Sequence, residues 1–424
     1  MTARPGWLTR RRLLLGASAA ISAGAVAGAG IDRAVSAGRS ADETGKTAAA
    51  PGVPGVELGI QPAGLPARQH AWTEFLACDQ YGNPVLPKFS RLLFFDVSTT
   101  PTAASVRLLE AALRTLERRY PWNSSGLLFT AGWGPAYFTD VLRVSSPVPR
   151  ATALSNFELP AIDGYHLCLH LASDDESRLA AIEAALTRGI SAALRWRESR
   201  TGFVGAGLPA GRQNAGGIPS AQPVPVGSPL FMGFKSGLRR NQASEDDVTI
   251  PHGPFAGGTT MHASYMRLRL DTWYGQLSQQ ERVARMYAPQ VTPEQAAKFT
   301  TDAESDPALL GQAIGRYGVI GHAQCAARAR RGGVPLIVRR DFDTTDGGQA
   351  GLHFVSLQRT VADFVTTRTA MNAASAQLQN PSITDTVNNG INEFIFVLKR
   401  GNYVLPVRSE RSFPLIPGQA EALA

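Results

Sequence analysis

One histidine and two arginines lie close enough in the chain to serve a common site. His322 occurs in the segment GRYGVIGHAQ, which has helical character. A Gly-Gly break follows, and the apolar run VPLIV then leads directly into Arg339 and Arg340. Neutral imidazole is a ligand of haem iron, and a fixed cation near it stabilises negative charge on a bound peroxide or on propionates. A single histidine is more often structural than a ligand, so the residue types alone leave both interpretations open.

Strands and helices alternate around these residues. In the first half, periodicity predicts strand, helix, strand, strand, helix, strand at 91–97, 102–120, 126–132, 165–171, 176–188 and 194–198. That order is the ferredoxin-like split unit. The second half repeats its general content, with strands predicted at 259–273, 351–358 and 393–398 and helices at 278–286 and 361–376. The sequence therefore predicts an α+β protein with a duplicated ferredoxin-like fold, in which helices flank antiparallel sheets.

A stretch rich in glycine and proline separates the two halves. Residues 204–229 show no periodicity, which indicates an interdomain linker and a pocket-lining loop. We therefore predict an N-terminal ferredoxin-like domain at 58–225 and a C-terminal ferredoxin-like domain at 226–424, where a haem would bind. An export signal and a disordered spacer at 1–57 precede them.

Three arginines open the N-terminal segment. Arg10, Arg11 and Arg12 precede an uncharged run of mostly alanine and glycine that lasts to Ile31. Paired arginines beside leucines favour a twin-arginine signal, whose export machinery carries folded proteins. A membrane anchor is the alternative, but the run is only weakly hydrophobic. We predict export to the cell envelope or beyond it, with membrane tethering if the signal stays uncleaved.

Charge and cysteine usage argue against two classes of protein. The net charge is +8, but no basic block is interleaved with aromatic residues, so we expect no nucleic-acid partner. Cys78, Cys168 and Cys325 are widely spaced, and no ligand pair has the spacing of a zinc site. One disulfide is the alternative, but the odd count and the apolar surroundings favour buried free thiols. The oligomeric state is not readable from the sequence, and a homo-oligomer remains open.

Short motifs in a consistent order connect the chain with a known family. They are spread over residues 59–375 and read GIQPAG, GWGP, YHLCLHLASDDESRLAAIEAAL, GFKSG, GGTTMHASYMRLRLDTW, GHAQ, LIVRR and GLHFVSLQR. Together they resemble the dye-decolourising peroxidase family, within the dimeric α+β barrel group that also includes the chlorite dismutases. The resemblance implies a haem b cofactor, with hydrogen peroxide as one substrate and a reducing substrate, not identified by the sequence, as the other.

The resemblance also implies roles for individual residues. His322 stands where the family places its proximal iron ligand, and Arg339 stands where the family has its distal arginine. Asp341 stands where a small polar distal residue is often found. The sequence offers two further histidines as candidates. His262 is as compatible with the core as with a function, and His353 is an alternative acid or base.

The chain departs from the family at a glycine-bracketed motif. Where the family has GxxDG, this sequence has GFKSG, with Gly233, Phe234 and Gly237 matching a cofactor-binding segment and Ser236 replacing the aspartate. The family's aspartate is credited with moving a proton between the two oxygens of hydrogen peroxide. A serine hydroxyl is too weak a base for that role at neutral pH. We therefore expect a weakened haem peroxidase. The alternatives are a haem-binding or structural relative without turnover, and a fold that binds another small ligand.

Overall fold

The structure, a computed structural model, describes residues 64–205, 228, 230–235, 241–297 and 307–416. The predicted export signal, the domain boundary at 225/226, Ser236 and Gly237 lie outside them. The strands in these residues are β1 (Ala77–Cys78), β2 (Pro84–Val85), β3 (Phe89–Val97), β4 (Leu128–Trp133), β5 (Ala161–Ile162), β6 (Leu167–Ser173), β7 (Leu194–Phe203), β8 (Thr259–Leu268), β9 (Arg330–Arg331), β10 (Val334–Pro335), β11 (Ile337–Arg339), β12 (Phe342–Thr344), β13 (Gly351–Gln358) and β14 (Ile395–Leu405). The α-helices are α1 (Ala103–Arg119), α2 (Glu176–Gly189), α3 (Leu270–Gly275), α4 (Gln279–Met286), α5 (Pro293–Ala297), α6 (Pro307–Gln312), α7 (His322–Ala326), α8 (Val361–Ala370) and α9 (Ala374–Gln379).

Antiparallel strands from both halves close into one ring. Its order is β8, β13, β12, β7, β3, β6, β4 and β14, and β14 pairs with β8 again. Each half contributes four neighbouring strands to this ring. The halves meet through single residue pairs, Asp343 with Phe203 and Val404 with Trp133. The molecule is therefore α+β, with the duplicated ferredoxin-like arrangement that the sequence predicts.

The first half follows its sequence patterns closely. Helix α1 buries Val106, Leu109 and Leu113, which are spaced along one helical face. The side chain of Thr102 caps the helix by accepting a hydrogen bond from the backbone N–H of Ser105. Strand β6 is buried at every position, as its nearly unbroken apolar run requires.

Two elements of the second half end earlier than predicted. The strand predicted at 259–273 ends at Leu268, and the next residues form helix α3. The helix predicted at 361–376 ends at Ala370, because Ala373 adopts a left-handed conformation (φ 49°) that a continuous helix cannot contain. Helix α9 begins only after that break.

Burial of the cysteines differs from the prediction at one position. Cys168 and Cys325 are buried free thiols, as predicted, but Cys78 is exposed because it lies on the two-stranded β1–β2 ribbon. Within the described ranges, none of the helices combines the length and the hydropathy that crossing a bilayer demands.

Candidate active site

A largely apolar cavity lies between one face of the second-half strands and helices α4, α7 and α8. Its volume is about 190 Å³. The strands contribute the apolar side chains Met266, Leu268, Leu352, Phe354, Ile395 and Val397. The helices contribute Met286, Ala323, Ala326, Phe364 and Met371. Polar and charged side chains interrupt this lining, and they are the candidates for function.

His322 is the first residue of α7 and lines the cavity. Its position depends on a close approach of two chain segments, since a Cβ atom on Gly321 would overlap the carbonyl oxygen of Tyr287. Burial, together with the charges of Arg339 and Arg368, lowers the pKa of His322 to about 3. Among the described residues, no group hydrogen bonds to its ring nitrogens. His322 therefore presents a neutral imidazole with an available lone pair to the cavity.

Arg339, Asp341 and Asp343 occupy alternate positions along one edge of the cavity and all three line it. Arg339 pairs with Ser356 and Asp343 pairs with Leu352 across the antiparallel ladder to β13. Because side chains alternate between the faces of a strand, this register directs all three towards the helices. No carboxylate in the described part of the chain forms an ion pair with Arg339.

The two aspartates differ from surface carboxyls in their proton affinity. Burial raises the pKa of Asp341 to about 7, against the opposing effects of the Arg339 charge and a hydrogen bond from the backbone N–H of Val355 (3.2 Å). Burial also raises the pKa of Asp343 well above its ordinary value, and the charge of Asp341 adds to that effect. The cavity therefore contains one carboxyl that changes protonation near neutral pH, and beside it a second that holds its proton more tightly than a surface carboxyl does.

Arg340 points away from the cavity, yet it is not a surface residue. Its guanidinium lies 4.3 Å from the centre of the Trp72 ring and pairs with Glu245 at 2.6 Å. Glu245 also accepts hydrogen bonds from the backbone N–H groups of Trp72 and Thr73. Three consecutive acidic residues at 245–247 are typical of a solvated loop, but Glu245 departs from that pattern because its charge balances a buried arginine.

The predicted GFKSG segment reaches the cavity in part. Phe234 lines it. Gly233 has a left-handed conformation (φ 84°) that favours glycine, and it is not among the lining residues. The neighbouring backbone is held in place by Asp343, which accepts a hydrogen bond from the N–H of Phe231 (2.6 Å).

Neither His353 nor His262 acts as an open acid or base here. His353 lies on the opposite face of β13 from the cavity-lining Leu352 and pairs with Asp346 at 3.1 Å. Its strand does line the cavity, but the side chain of His353 is not placed to act as the alternative acid or base there. His262 is a core residue whose ring nitrogens lie 2.7 Å from Asn402 Oδ1 and 2.6 Å from Ser264 Oγ.

Four charged residues of the cavity region escaped the sequence analysis. Arg368 and Arg400 line the cavity and share the buried carboxylate of Glu158. No motif marks these three, since they are far apart in the sequence. Asp343 could have been found, because it continues the alternation of Arg339 and Asp341. In the ranges that the structure describes, no three His, Cys, Asp or Glu side chains form a group that could hold a metal ion by themselves.

Comparison with known proteins yields one sequence family and many structural neighbours. A family model described as a family of unknown function (DUF7405) matches residues 87–407. No curated protein matches the chain in sequence. The DyP-type peroxidase from Cellulomonas bogoriensis is 20% identical, with a TM-score of 0.54 over 78% of this chain and 93% of that chain.

Other neighbours belong to the same structural group. DyPB from Rhodococcus jostii is 13% identical, with a TM-score of 0.55 over 81% of this chain and 97% of that chain. A dye-decolorizing peroxidase from Bacteroides thetaiotaomicron is 13% identical, with a TM-score of 0.54 over 80% of this chain and 98% of that chain. A DypB variant from Rhodococcus jostii was solved in complex with haem. The chain therefore belongs to the family of unknown function DUF7405 and has the fold of the dye-decolourising peroxidases.

Proposed function

We propose that this protein is an exported haem peroxidase that binds haem b through His322 and acts on hydrogen peroxide with Arg339 and Asp341. One observation carries the proposal. A neutral histidine and an arginine, neither with a hydrogen-bonded or ionic side-chain partner among the described residues, share an apolar cavity with a carboxyl that titrates near neutrality. The haem complex of the DypB variant from Rhodococcus jostii supports the same cofactor for this fold.

The residues present fit a haem. Iron requires a neutral imidazole, and burial keeps His322 in that form. The macrocycle is apolar, and the sheet and the helices both offer apolar side chains such as Met266, Phe354 and Met371. Haem, when bound, supplies a redox-active iron that accepts electrons from a donor and passes them to peroxide.

Arg339 and Asp341 would have different roles in the reaction with hydrogen peroxide. The guanidinium of Arg339 would stabilise negative charge that develops on a peroxide oxygen. A carboxylate oxygen of Asp341 would take the proton from one peroxide oxygen and return it to the other. Asp341 would thereby replace the aspartate that the GxxDG motif lacks at Ser236. With Asp341 transferring the proton, the protein would be an active peroxidase even if Ser236 contributes only a hydrogen bond to the peroxide.

Asp341 must be ionised to accept a proton. Because its pKa is about 7, we expect the rate with peroxide to rise as the pH increases through that value. Arg339 favours the ionised form, and Asp343 on the same strand disfavours it. The other charged or titratable residues that line the cavity are Lys235, Tyr287, His322, Arg330, Arg368 and Arg400.

The absorption spectrum of the haem-reconstituted protein tests the cofactor. We expect a Soret band in the wild type that is lost or shifted in His322→Ala. His252→Ala, at an exposed position, serves as the matched control and should retain the wild-type spectrum. An unchanged spectrum and haem content in His322→Ala would refute His322 as the ligand.

Turnover separates the peroxidase from a haem-binding relative without activity. We expect Arg339→Leu and Asp341→Asn each to slow the reaction with peroxide by on the order of a hundredfold, while haem stays bound. The pH dependence near 7 should disappear only in Asp341→Asn. A wild type that binds haem but does not react with peroxide would favour the non-catalytic alternative.

A further inference from the structure

A buried cluster of opposite charges lies beside the cavity, and its two arginines line the cavity. We define it as the Arg368–Arg400–Glu158 cluster. One oxygen of Glu158 accepts hydrogen bonds from Nε and Nη2 of Arg400, and the other accepts one from Nη2 of Arg368 at 3.2 Å. The side chains of Arg400 and Glu158 are only 1% and 2% exposed. One carboxylate therefore serves two buried guanidinium groups.

The cluster carries an excess of positive charge in a dry environment. Burial lowers the pKa of both arginines, that of Arg368 to about 10, even though the carboxylate of Glu158 opposes this effect. Nη1 of Arg400 is buried without a hydrogen-bond partner among the described residues. A buried donor and an uncompensated buried cation both cost stability unless a ligand satisfies them. Arg368 and Arg400 line the cavity, so such a ligand would reach them from there.

The register of the sheet locates the cluster relative to the proposed peroxide-binding side. Arg400 on β14 pairs with Ser264 on β8, and Ser264 pairs with Phe354 on β13. Asp341 lies beyond β13, where its side chain accepts a hydrogen bond from the N–H of Val355. Three strand spacings therefore separate Arg400 from Asp341, which amounts to about 14 Å. Apolar side chains occupy the interval, as a large amphipathic ligand with an anionic edge would require.

We propose that Arg400 and Arg368 bind a carboxylate of the cavity ligand, so that the propionate edge of a tetrapyrrole faces β14 and α8. This inference rests on the proposed haem function and specifies the orientation of the ligand. Nη1 of Arg400 donates a charge-assisted hydrogen bond to the carboxylate, and Glu158 positions both guanidinium groups. Recognition at this cluster does not require the iron, because the two guanidinium groups would contact only the carboxylate.

Binding of different porphyrins distinguishes the iron ligand His322 from the arginine cluster. Porphyrins with and without iron test the ligand, and porphyrins with free or esterified carboxylates test the cluster. The probes are ferric haem, metal-free protoporphyrin IX and the dimethyl ester of protoporphyrin IX, titrated by absorption and fluorescence quenching. We expect Arg400→Gln to weaken binding of the free-acid porphyrin roughly ten- to a hundredfold and to leave binding of the ester unchanged. His322→Ala should weaken binding of ferric haem but not of the metal-free porphyrin.

Two further variants test whether a loss of binding in Arg400→Gln comes merely from misfolding. Glu158→Gln removes the negative charge that competes for the two arginines but keeps an amide oxygen that can position them, so it should strengthen binding of the free acid relative to the ester, a change opposite to that of Arg400→Gln. Arg285→Gln is the matched control, because Arg285 pairs with Glu393 at 3.5 Å and is not among the lining residues. It should bind every probe as the wild type does.

The outcomes are distinct. Equal affinities for acid and ester in the wild type, or an Arg400→Gln variant that weakens both alike, would overturn the carboxylate subsite while leaving haem ligation by His322 intact. If ferric haem binds no better than metal-free porphyrin, His322 is refuted as the iron ligand. The carboxylate subsite would still be supported if the protein prefers the free acid to the ester and the preference depends on Arg400. A wild type that binds none of the probes would overturn both proposals.

Discussion

Replacing Asp341 by asparagine should stabilise the protein at alkaline pH. The substitution preserves the shape of the side chain and the acceptor for the N–H of Val355, which donates to Oδ1 of Asp341 at 3.2 Å. It removes only the ability to ionise. Any pH-dependent change in the free energy of unfolding therefore reports the cost of burying the charge.

The sign and size of the effect follow from the shifted pKa. Burial raises the pKa of Asp341 from 3.8 to about 7, so the folded protein holds this proton more tightly than the unfolded chain does. The stability that the proton contributes is complete below about pH 4 and is lost as the pH rises through about 7. Each pKa unit corresponds to about 1.4 kcal/mol, so at pH 8 ionised Asp341 costs at most about 4 kcal/mol. The Asp341→Asn variant would avoid that cost.

Urea unfolding at several pH values measures this difference. We expect Asp341→Asn and the wild type to have similar free energies of unfolding near about pH 4, and the variant to gain up to about 4 kcal/mol by about pH 8. Loss of the Asp341 charge also eases ionisation of Asp343, which acts in the same direction. Asp140→Asn, at an exposed position, is the control for removing a surface carboxylate. A difference between Asp341→Asn and wild type that stays constant from pH 4 to pH 8 would contradict the burial argument.

Three other predictions concern the position of His322, the altered motif and export. Gly321→Ala should destabilise the protein by about 1–3 kcal/mol and weaken haem binding, because the added methyl would overlap the carbonyl oxygen of Tyr287. The control is Gly315→Ala, whose added methyl meets open space. It should change neither the thermal midpoint nor the haem affinity. Ser236→Asp should raise the stopped-flow rate with peroxide by up to about a hundredfold, and an unchanged rate would mean that Asp341 suffices alone. Lysine at all three arginines of residues 10–12 should retain the protein in the cytoplasm in a fractionation assay, and normal export of that variant would exclude the twin-arginine route.

The local pattern of apolar residues in the sequence was enough to predict many of the helices and strands. Apolar periodicity predicted the helix at 102–120 and the strands at 91–97 and 351–358 because each element buries one face or both. The same reasoning failed at 361–376, where a left-handed Ala373 interrupts an otherwise helical pattern. Backbone conformation at a non-glycine residue leaves no mark in the sequence when tertiary contacts impose it.

For the candidate site, the sequence singled out the candidate residues, whereas the tertiary structure decided their environments. Motif order pointed to His322 and Arg339, and strand alternation implied that Arg339 and Arg340 face opposite sides. Alternation does not tell which face helices cover, so it could not show that His353 turns away from the cavity. Nor could it show that Arg400 meets Glu158, 242 residues away in the chain. Burial likewise set the proton affinity of Asp341, because desolvation depends on neighbours that only the folded chain assembles.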